Sequence, residues 1–226
     1  MSAPHEPPSG FLLVDKPVGP TSHDIVDAAR RALRTRKIGH AGTLDPFASG
    51  LLILAVGKMT KEISKFVGLD KAYEATLRLG ASSDTMDRTG VIVEQKDCAP
   101  VARETFEKAL EGFRGGIDQV PPMYSAKKVG GKKLYELARA GETVERKPVR
   151  VTIHELELMD YAWPMARIRT RVSSGTYIRA LADDMGRALG CGAYLEELRR
   201  TSIGSFDVKD AAKPEDIALT SLRASL

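Results

Sequence analysis

The sequence predicts an α+β fold built on a mixed, largely antiparallel central sheet, flanked by helices and loops. Segments of strand and helix character alternate along the 226 residues, without the strict strand–helix–strand repeat that indicates a parallel sheet. The apolar run at residues 51–56 directly follows a glycine-rich segment and is typical of a buried strand. Every second residue from 167 to 171 is an arginine, which indicates a strand with one charged and one apolar face.

The individual elements follow from local patterns. Thr21 or Ser22 can cap a helix that runs to about Leu33, since apolar residues recur on one of its faces. Residues 149–158 and 166–173 lie on either side of Trp163-Pro164 and predict a strand pair. The other predictions are strands at 11–14, 72–79, 91–94 and 194–201, helices near 60–67, 103–113 and 176–189, a polar loop at 81–90, and a short helix near 214–219.

Positive charge is concentrated in one segment of the chain. The formal net charge is +4, but residues 121–150 alone carry eight Lys or Arg against three Glu, so the rest of the chain sums to −1. Such a local excess is typical of a nucleic-acid-binding surface. Within this segment Gly130-Gly131 predicts a basic hairpin turn.

The sequence lacks the signals that are typical of disulfide-bonded, metal-binding, membrane and secreted proteins. Cys98 and Cys191 are far apart in the sequence and form no CxxC pattern, which indicates reduced thiols in a cytosolic protein. The four histidines show no metal-ligand spacing. No apolar run approaches ~18 residues, and residues 1–8 lack the apolar core of a signal peptide. We therefore expect a cytoplasmic protein without a membrane segment, metal or cofactor.

Asp45 is the first candidate for a chemical role, because it is the single acid in the glycine-framed segment 38–50. Gly39, Gly42 and Gly50 suit tight turns, and Pro46 restricts the backbone beside the acid. One carboxylate on a stiff loop above an apolar strand suits a nucleophile or a general base. An Asp-Pro pair is also a common turn opener, so the loop by itself leaves both interpretations open.

The arginine face of residues 167–171 is a second candidate surface. Strand geometry places Arg167, Arg169 and Arg171 on the same side. A solvated sheet face is one interpretation. The other is contact with RNA phosphate, which we favour because three adjacent guanidinium groups repel one another unless an anion lies over them.

Four further motifs accompany the segment around Asp45. They are Gly10-Phe-Leu-Leu-Val-Asp-Lys-Pro17 with Gly19-Pro-Thr-Ser22, Lys71-Ala-Tyr73 with Ser83-Asp-Thr-Met-Asp87, Gln119-Val-Pro-Pro-Met-Tyr-Ser-Ala-Lys127 with Tyr135-Glu-Leu-Ala-Arg139, and Ser174-Gly-Thr-Tyr-Ile-Arg179 with Leu198-Arg-Arg200. The five motifs resemble those of the TruB-type pseudouridine synthases, enzymes that isomerise a uridine in the T-loop of tRNA, and the segment around Asp45 resembles their catalytic motif. Five motifs in one order are far more specific than any of them alone.

The resemblance implies a role for individual residues. Asp45 would be the catalytic carboxylate and Arg179 would keep it ionised and oriented, since a guanidinium lowers the pKa of a neighbouring acid. Tyr73 would stack on the target base and help to remove the C5 proton. The remaining implied roles are His40 in the space left by the extruded nucleotide, Tyr177 and Leu198 lining the base pocket, Lys16 and Pro17 supporting its floor, and Lys127, Lys128, Lys132, Lys133 and the three arginines on the RNA backbone.

The implied reaction converts uridine 55 of tRNA to pseudouridine, by cleavage of the C1′–N1 bond, rotation of the base and rejoining through C5. Asp45 could attack C1′ or take a proton from C2′, and the sequence leaves both routes open. The reaction is redox-neutral, which agrees with the absence of a cofactor motif.

The resemblance also implies a domain organisation and a partner. We expect residues 1–9 to be a flexible N-terminal tail, residues 10–210 the catalytic domain, and residues 211–226 a short C-terminal segment without the PUA domain that the family commonly carries. The expected partner is the T-arm of tRNA, with no protein partner, and the expected state is a monomer.

Two other functions fit the same motifs. One is a tRNA-binding folding chaperone, and the other is a pseudouridine synthase for another stem-loop RNA. Asp45, Tyr73 and Arg179 are all intact, which argues against a pure chaperone because a binder has no need of a carboxylate facing RNA phosphates.

Overall fold

The computed structural model describes residues 7–125 and 127–225, without the side chains of residues 128, 129, 133 and 139. The strands are β1 (Gly10–Lys16), β2 (Ile38–His40), β3 (Ser49–Val56), β4 (Lys71–Leu79), β5 (Ala81–Ser83), β6 (Ile92–Glu94), β7 (Gly115–Gln119), β8 (Lys128–Val129), β9 (Lys132–Lys133), β10 (Val149–Ala162), β11 (Met165–Val172), β12 (Ala193–Ile203) and β13 (Phe206–Asp207). The α-helices are α1 (Ser22–Leu33), α2 (Ser64–Val67), α3 (Arg103–Glu111), α4 (Leu134–Arg139) and α5 (Ile178–Ala188).

The chain divides into two compact units, which we describe separately. The first unit comprises residues 1–73 and 199–226, and the second comprises residues 74–198. The chain passes between the units along β4 and again along β12, so each of these strands contributes residues to both units.

The first unit is built on a three-stranded core in the order β1–β3–β12, with β2 added to β3 and β13 added to β12. Strands β1 and β3 are antiparallel, whereas β3 and β12 are parallel. The predicted buried strand is confirmed. Because successive side chains point to opposite faces, Leu52 and Leu54 pack with helix α1 on one side, while Leu51 and Ile53 pack with Phe66 on the other. Each such side chain contributes about 1.5–3 kcal/mol on burial.

Helix α1 begins where the sequence predicts it. The Thr21 hydroxyl accepts a hydrogen bond from the Asp24 backbone N–H at 3.1 Å, and the Asp24 carboxylate accepts one from the Thr21 N–H at 2.8 Å. This reciprocal cap satisfies two of the backbone N–H groups that a helix start leaves unpaired. Its buried face, including Ile25, Val26 and Leu33, is the predicted apolar face.

Within the second unit the strands lie in the order β12–β4–β11–β10–β7. Strands β10 and β11 form the predicted antiparallel pair on either side of Trp163-Pro164. Burial alternates along β4 and β11, as expected for strands with one face in the core. The fold is therefore mixed and largely antiparallel, as predicted.

Several predicted elements differ in detail. Residues 60–67 form a 3-10 helix, Gly57–Glu62, followed by the short helix α2 instead of one continuous helix. The predicted polar loop 81–90 contains β5, which pairs with β6. The short C-terminal helix is a pair of 3-10 turns, Pro214–Asp216 and Leu219–Ser221. These elements, like the unpredicted β2, β7 and α4, are too short to show a hydrophobic period.

The predicted hairpin turn at Gly130-Gly131 is confirmed. Strands β8 and β9 pair antiparallel on either side of it, and both glycines have positive φ, 58° and 85°. Two consecutive residues of positive φ are the requirement of a tight hairpin turn, which glycine meets with little strain.

The structure also bears on the expectations about membrane segments, metal sites and cysteines. Over residues 7–125 and 127–225, no helix has the length and apolar character needed to cross a membrane. In the same part of the chain no group of three or more His, Cys, Asp or Glu is arranged to hold a metal ion. Cys98 and Cys191 are free thiols, and burial raises the pKa of Cys191.

Candidate active site

Asp45 lies in the loop between β2 and β3. The loop turns on itself, because the Ala48 N–H donates to the Asp45 carbonyl oxygen at 3.1 Å. Leu44 and Phe47 are both buried, and Asp45 between them is half-buried. The two flanking apolar side chains thus anchor the loop to the core and leave the carboxylate at its surface.

Helix α1 holds the loop from one side. The buried Ser22 hydroxyl donates to the Leu44 carbonyl oxygen at 3.0 Å and accepts from the Leu44 N–H at 2.8 Å. Both backbone groups of the residue before Asp45 are therefore bound by one side chain. Such a contact restricts the backbone on which the carboxylate stands.

Arg200 holds the loop from another side, and the sequence analysis assigns it no role. Its side chain is buried, and it donates from Nε to the Leu51 carbonyl oxygen at 2.7 Å and from a terminal nitrogen to that of Gly42 at 3.1 Å. Arg200 also pairs with Gly50 across the parallel β3–β12 contact. A Cβ atom at position 50, where φ is 108°, would lie 2.2 Å from the Arg200 carbonyl oxygen, so only glycine fits there.

Lys16 and Pro17 lie beneath this loop. The buried Lys16 ammonium donates to the carbonyl oxygens of Pro17 and Pro20, both at 2.8 Å. Burial lowers the pKa of Lys16 to about 8, although the charge of Asp45 acts in the opposite direction. The Gly19 N–H donates to the Pro46 carbonyl oxygen at 2.8 Å, which joins this turn to the Asp45 loop.

His40 ends strand β2 in the same unit. Burial lowers its pKa and the positive charge of Arg200 lowers it further, whereas a backbone hydrogen bond with Gly42 acts in the opposite direction. Its Nδ1 atom is buried and has no hydrogen-bond partner among the residues that the structure describes. A buried, unpaired ring nitrogen is costly and is therefore a candidate contact for a ligand. Tyr73, on β4, completes the predicted residues of this unit and is 8% exposed.

Arg179 belongs to the second unit and is anchored at three points. It donates to the carbonyl oxygens of Thr85 at 3.0 Å and Tyr124 at 2.7 Å, and its guanidinium lies 3.5 Å from the Asp87 carboxylate. The side chains of Arg179 and Asp87 are each 5% exposed. Asp87 is fixed in turn by the Thr89 N–H at 2.9 Å. In the sequence Asp87 is only one residue of a motif, and nothing near it in the chain indicates a contact with Arg179, 92 positions away.

Tyr177 immediately precedes helix α5, which carries Arg179. Its backbone is held by Gln119, whose amide donates to the Tyr177 carbonyl oxygen at 3.0 Å and accepts from the Tyr177 N–H at 2.8 Å. Gln119 is buried, and the Tyr177 carbonyl oxygen also accepts from the Leu181 N–H at 3.1 Å, so the backbone at the start of α5 is held from two sides. Leu198, the last residue of the second unit, is buried on β12.

The predicted arginine face has carboxylate partners within the protein. Arg167 and Arg169 lie 2.7 Å and 3.3 Å from the Glu74 carboxylate, and Arg171 lies 2.8 Å from that of Glu155. The argument that repulsion among the arginines calls for an RNA phosphate is therefore wrong, because the protein supplies the anions itself. Contact of this face with RNA stays a prediction without that support.

The predicted backbone-binding lysines lie around the β8–β9 hairpin. Lys127 is partly exposed and Lys132 is exposed, whereas the side chains of Lys128 and Lys133 lie outside what the structure describes.

Two family models match consecutive parts of this chain. The N-terminal domain of the TruB family of pseudouridylate synthases matches residues 30–178, and the C-terminal domain of tRNA pseudouridylate synthase B matches residues 179–224. The chain is 52% identical to the tRNA pseudouridine synthase B of Azoarcus sp. (strain BH72) over 96% of this chain and 70% of that protein. It is 46% identical to the enzyme of the same name from Bordetella avium (strain 197N) over 98% of this chain and 92% of that protein.

Solved structures agree with this assignment. The chain is similar to one in a Cbf5-Nop10-Gar1 complex, with a TM-score of 0.73 and 30% identity over 92% of this chain and 53% of the other. A chain of an H/ACA RNP bound to a substrate RNA containing 2′-deoxyuridine gives a TM-score of 0.70 and 27% identity over 92% and 51%. The chain thus spans about half the length of these solved chains. Family models that cover most of the sequence, with relatives about half identical, establish that the chain belongs to the TruB family of pseudouridylate synthases.

Proposed function

We propose that this pseudouridine synthase converts uridine 55 in the T-loop of tRNA, with Asp45 as the catalytic carboxylate. The observation that carries the proposal is the anchoring of the Asp45 loop. Ser22 binds both backbone groups of Leu44, Arg200 binds Gly42 and Leu51, and Gly19 binds Pro46. A reacting group must be held within a fraction of an ångström, and a solvated surface acid needs no such support.

The chemistry explains why one carboxylate suffices. The C1′–N1 bond breaks, the free uracil turns, and C5 bonds to C1′ in place of N1. C5 then loses its proton and N1 gains one, so the reaction is an isomerisation in which no electrons enter or leave. Asp45 either adds to C1′ or removes a proton from C2′, and both routes need the ionised acid. The ammonium of Lys16, which is close enough for Asp45 to act on its pKa, favours that ionised form.

We propose that Arg179 acts on the same uridine site and keeps Asp45 charged. Its own orientation is supported by Thr85, Tyr124 and Asp87. Arg179→Ala should abolish activity and shift the pH–rate profile to higher pH, since loss of a positive neighbour raises the pKa of an acid. Arg179→Ala also removes the cationic partner of the buried Asp87 carboxylate. The double variant Arg179→Ala with Asp87→Asn avoids that second effect and is the better probe. Arg187→Ala, on the exposed face of the same helix, is the matched control.

The remaining roles concern the extruded base. Extrusion from a folded loop requires a few kcal/mol, which new contacts must offset. We propose that Tyr73 stacks on the uracil, that Tyr177 and Leu198 line its pocket, and that His40 takes a position that the nucleotide leaves. His40 is only partly buried, which leaves part of the side chain open to contact with RNA.

We propose that the T-arm backbone binds to the basic segment 121–150, and that residues 167–171 contribute less because their arginines are paired. Substitution of Lys127, Lys128, Lys132 and Lys133 by Ala should weaken binding of many RNAs alike. Each lost phosphate contact should flatten the log–log salt dependence of binding by roughly 0.7–0.9.

Mapping of pseudouridine in an unmodified tRNA transcript, before and after incubation with the purified protein, tests the function. We expect a new pseudouridine at position 55 and nowhere else. Binding and refolding of tRNA without any pseudouridine would support the chaperone alternative. Modification of another stem-loop RNA at a higher rate than tRNA would support the third function, which the likeness to a chain of an H/ACA RNP bound to substrate RNA makes worth testing.

A further inference from the structure

A group of exposed cations lies at the end of helix α1, on the first unit. It consists of Arg34, Arg36, Lys37 and Lys61, which we call the α1-end surface, and all four side chains are exposed. Over residues 7–125 and 127–225, no carboxylate oxygen lies within 4.0 Å of any of the four. In this they differ from the arginines of β11, each of which has a carboxylate partner.

These four residues lie on two segments that backbone hydrogen bonds join. Arg34 is the C-cap residue of helix α1, and the Thr35 N–H donates to the Arg30 carbonyl oxygen at 3.2 Å. The Lys37 carbonyl oxygen accepts from the Gly57 N–H at 2.8 Å, and Gly57 begins the 3-10 helix that carries Lys61. The backbone hydrogen bonds thus join the end of α1 to the start of this helix.

Folding does not account for this charge. The neighbouring acids are already engaged, Asp27 with Arg30 and Glu62 with Lys65. A cation in the last turn of a helix gains from the helix dipole, but that effect falls off within the turn, and Arg36, Lys37 and Lys61 lie beyond α1. Three of the four cations fall within four consecutive residues, 34–37, and like charges within the screening length, about 8 Å at physiological salt, repel one another.

The backbone conformation of Arg34 is a second indication that the charge at this position serves a function. Its φ is 50°, in the left-handed region, which glycine adopts freely and other residues adopt at a cost of about 1–2 kcal/mol. A helix end of this form commonly carries glycine. This chain has an arginine there instead, although glycine would adopt this backbone conformation with less strain. An outlier of this kind is a reason to look for function.

We propose that the α1-end surface binds the sugar–phosphate backbone of tRNA, as a contact separate from the basic segment 121–150. The inference rests on the proposed function for the identity of the RNA. Four uncompensated cations on a fixed scaffold suit a polyanion, and residues 34–37 and 57–62 contain no aromatic side chain that could stack on a base. The surface therefore contributes affinity and orientation, not recognition of bases.

Arg34→Gly gives the sharpest test, because it should move two quantities in opposite directions. The free energy of unfolding should rise, as the left-handed strain is relieved, while the affinity for an unmodified tRNA transcript falls. A general loss of folding would lower both. An unchanged affinity for tRNA in a stabilised Arg34→Gly variant would overturn the proposal.

A matched pair of double variants tests whether the effect is local. Lys37→Gln with Lys61→Gln and Lys209→Gln with Lys213→Gln each remove two exposed lysines from the first unit. The first pair should raise the dissociation constant at least about fivefold at low salt and flatten the salt dependence by roughly 1.4–1.8 in log–log slope. The second pair should leave the slope unchanged. Equal effects from the two pairs would overturn the proposal.

Two RNAs locate the contact. If the first pair weakens binding of both whole tRNA and an isolated T-arm hairpin, the surface binds the T-arm. If it weakens only whole tRNA, the surface binds the backbone beyond the T-arm. Both results support the proposal, whereas no loss with either RNA overturns it. Binding is measured apart from turnover, so a wild-type protein that bound tRNA without forming pseudouridine would contradict the proposed function and not this surface.

Discussion

Ser22 and Leu44 exchange two hydrogen bonds through a single hydroxyl, at 3.0 Å and 2.8 Å. Ser22 is the first residue of helix α1, and Leu44 directly precedes Asp45. The start of the helix, fixed by its own cap, therefore determines where the backbone of the candidate nucleophile lies. This relationship makes Ser22 a residue that positions the site without touching the substrate.

Ser22→Ala should lower the free energy of unfolding by about 1–3 kcal/mol, because it leaves two buried backbone groups of Leu44 without a partner. It should also lower kcat more than it changes the affinity for tRNA. Urea denaturation and single-turnover kinetics measure the two effects. Ser64→Ala, an exposed serine of α2, is the control and should change neither. A Ser22→Ala enzyme with unaltered kcat would show that the loop keeps its position without this contact.

Arg199 and Arg200 are adjacent but should respond differently to the same substitution. Arg200 is buried and binds two carbonyl oxygens of the Asp45 loop, whereas Arg199 forms a partly exposed ion pair with Asp15. A lysine keeps the charge but lacks the planar fork that reaches both carbonyls. Arg200→Lys should therefore cost about 1.5–3 kcal/mol of stability, and Arg199→Lys about 0–1 kcal/mol. Thermal denaturation of the two variants measures the difference. Equal losses of stability would refute the assigned role of Arg200.

Lys16 should make stability depend on pH in the alkaline range. Its pKa falls from 10.5 to about 8 on folding, chiefly through burial. Between these values the unfolded chain holds a proton that the folded chain has released, so the free energy of unfolding rises with pH. Below about pH 8 the burial penalty is fully present.

Lys16→Met removes this dependence. The free energy of unfolding of the wild type minus that of the variant should therefore increase by about 1 kcal/mol or more from about pH 7.5 to about pH 10. Lys213→Met, at an exposed lysine, should show no such trend. A flat difference for Lys16→Met would mean that the folded protein does not depress the pKa of this amine.

Local patterns in the sequence predicted much of the fold and the position of the Asp45 loop. Gly42 and Gly50 do occupy backbone conformations of positive φ, 90° and 108°, whereas Gly39 lies within strand β2 and does not form a turn. The apolar run after them is the buried strand β3. The cap of α1 and the β10–β11 pair could also be predicted, since each depends on residues close together in the chain. Features with such a local physical cause can be predicted from a single sequence.

The partners of the site residues could not be predicted, because they lie far away in the chain. Arg200 binds Leu51 across 149 residues, and Arg167 pairs with Glu74 across 93. Nothing in the alternation of Arg167, Arg169 and Arg171 indicates a carboxylate on another strand. The alternation correctly predicted that the three arginines share a face. It did not indicate that their anionic partners are carboxylates of the protein itself.

The replacement of Asp45 by Asn tests the central claim most directly. The change removes the charge and keeps the shape, so Asp45→Asn should fold with the stability of the wild type and bind tRNA within about threefold of it, yet form no pseudouridine in an unmodified tRNA transcript. Asp27→Asn, at a half-exposed acid on helix α1, should retain full activity. Formation of pseudouridine by Asp45→Asn at a rate within about tenfold of the wild type would contradict the account and place the reacting group elsewhere.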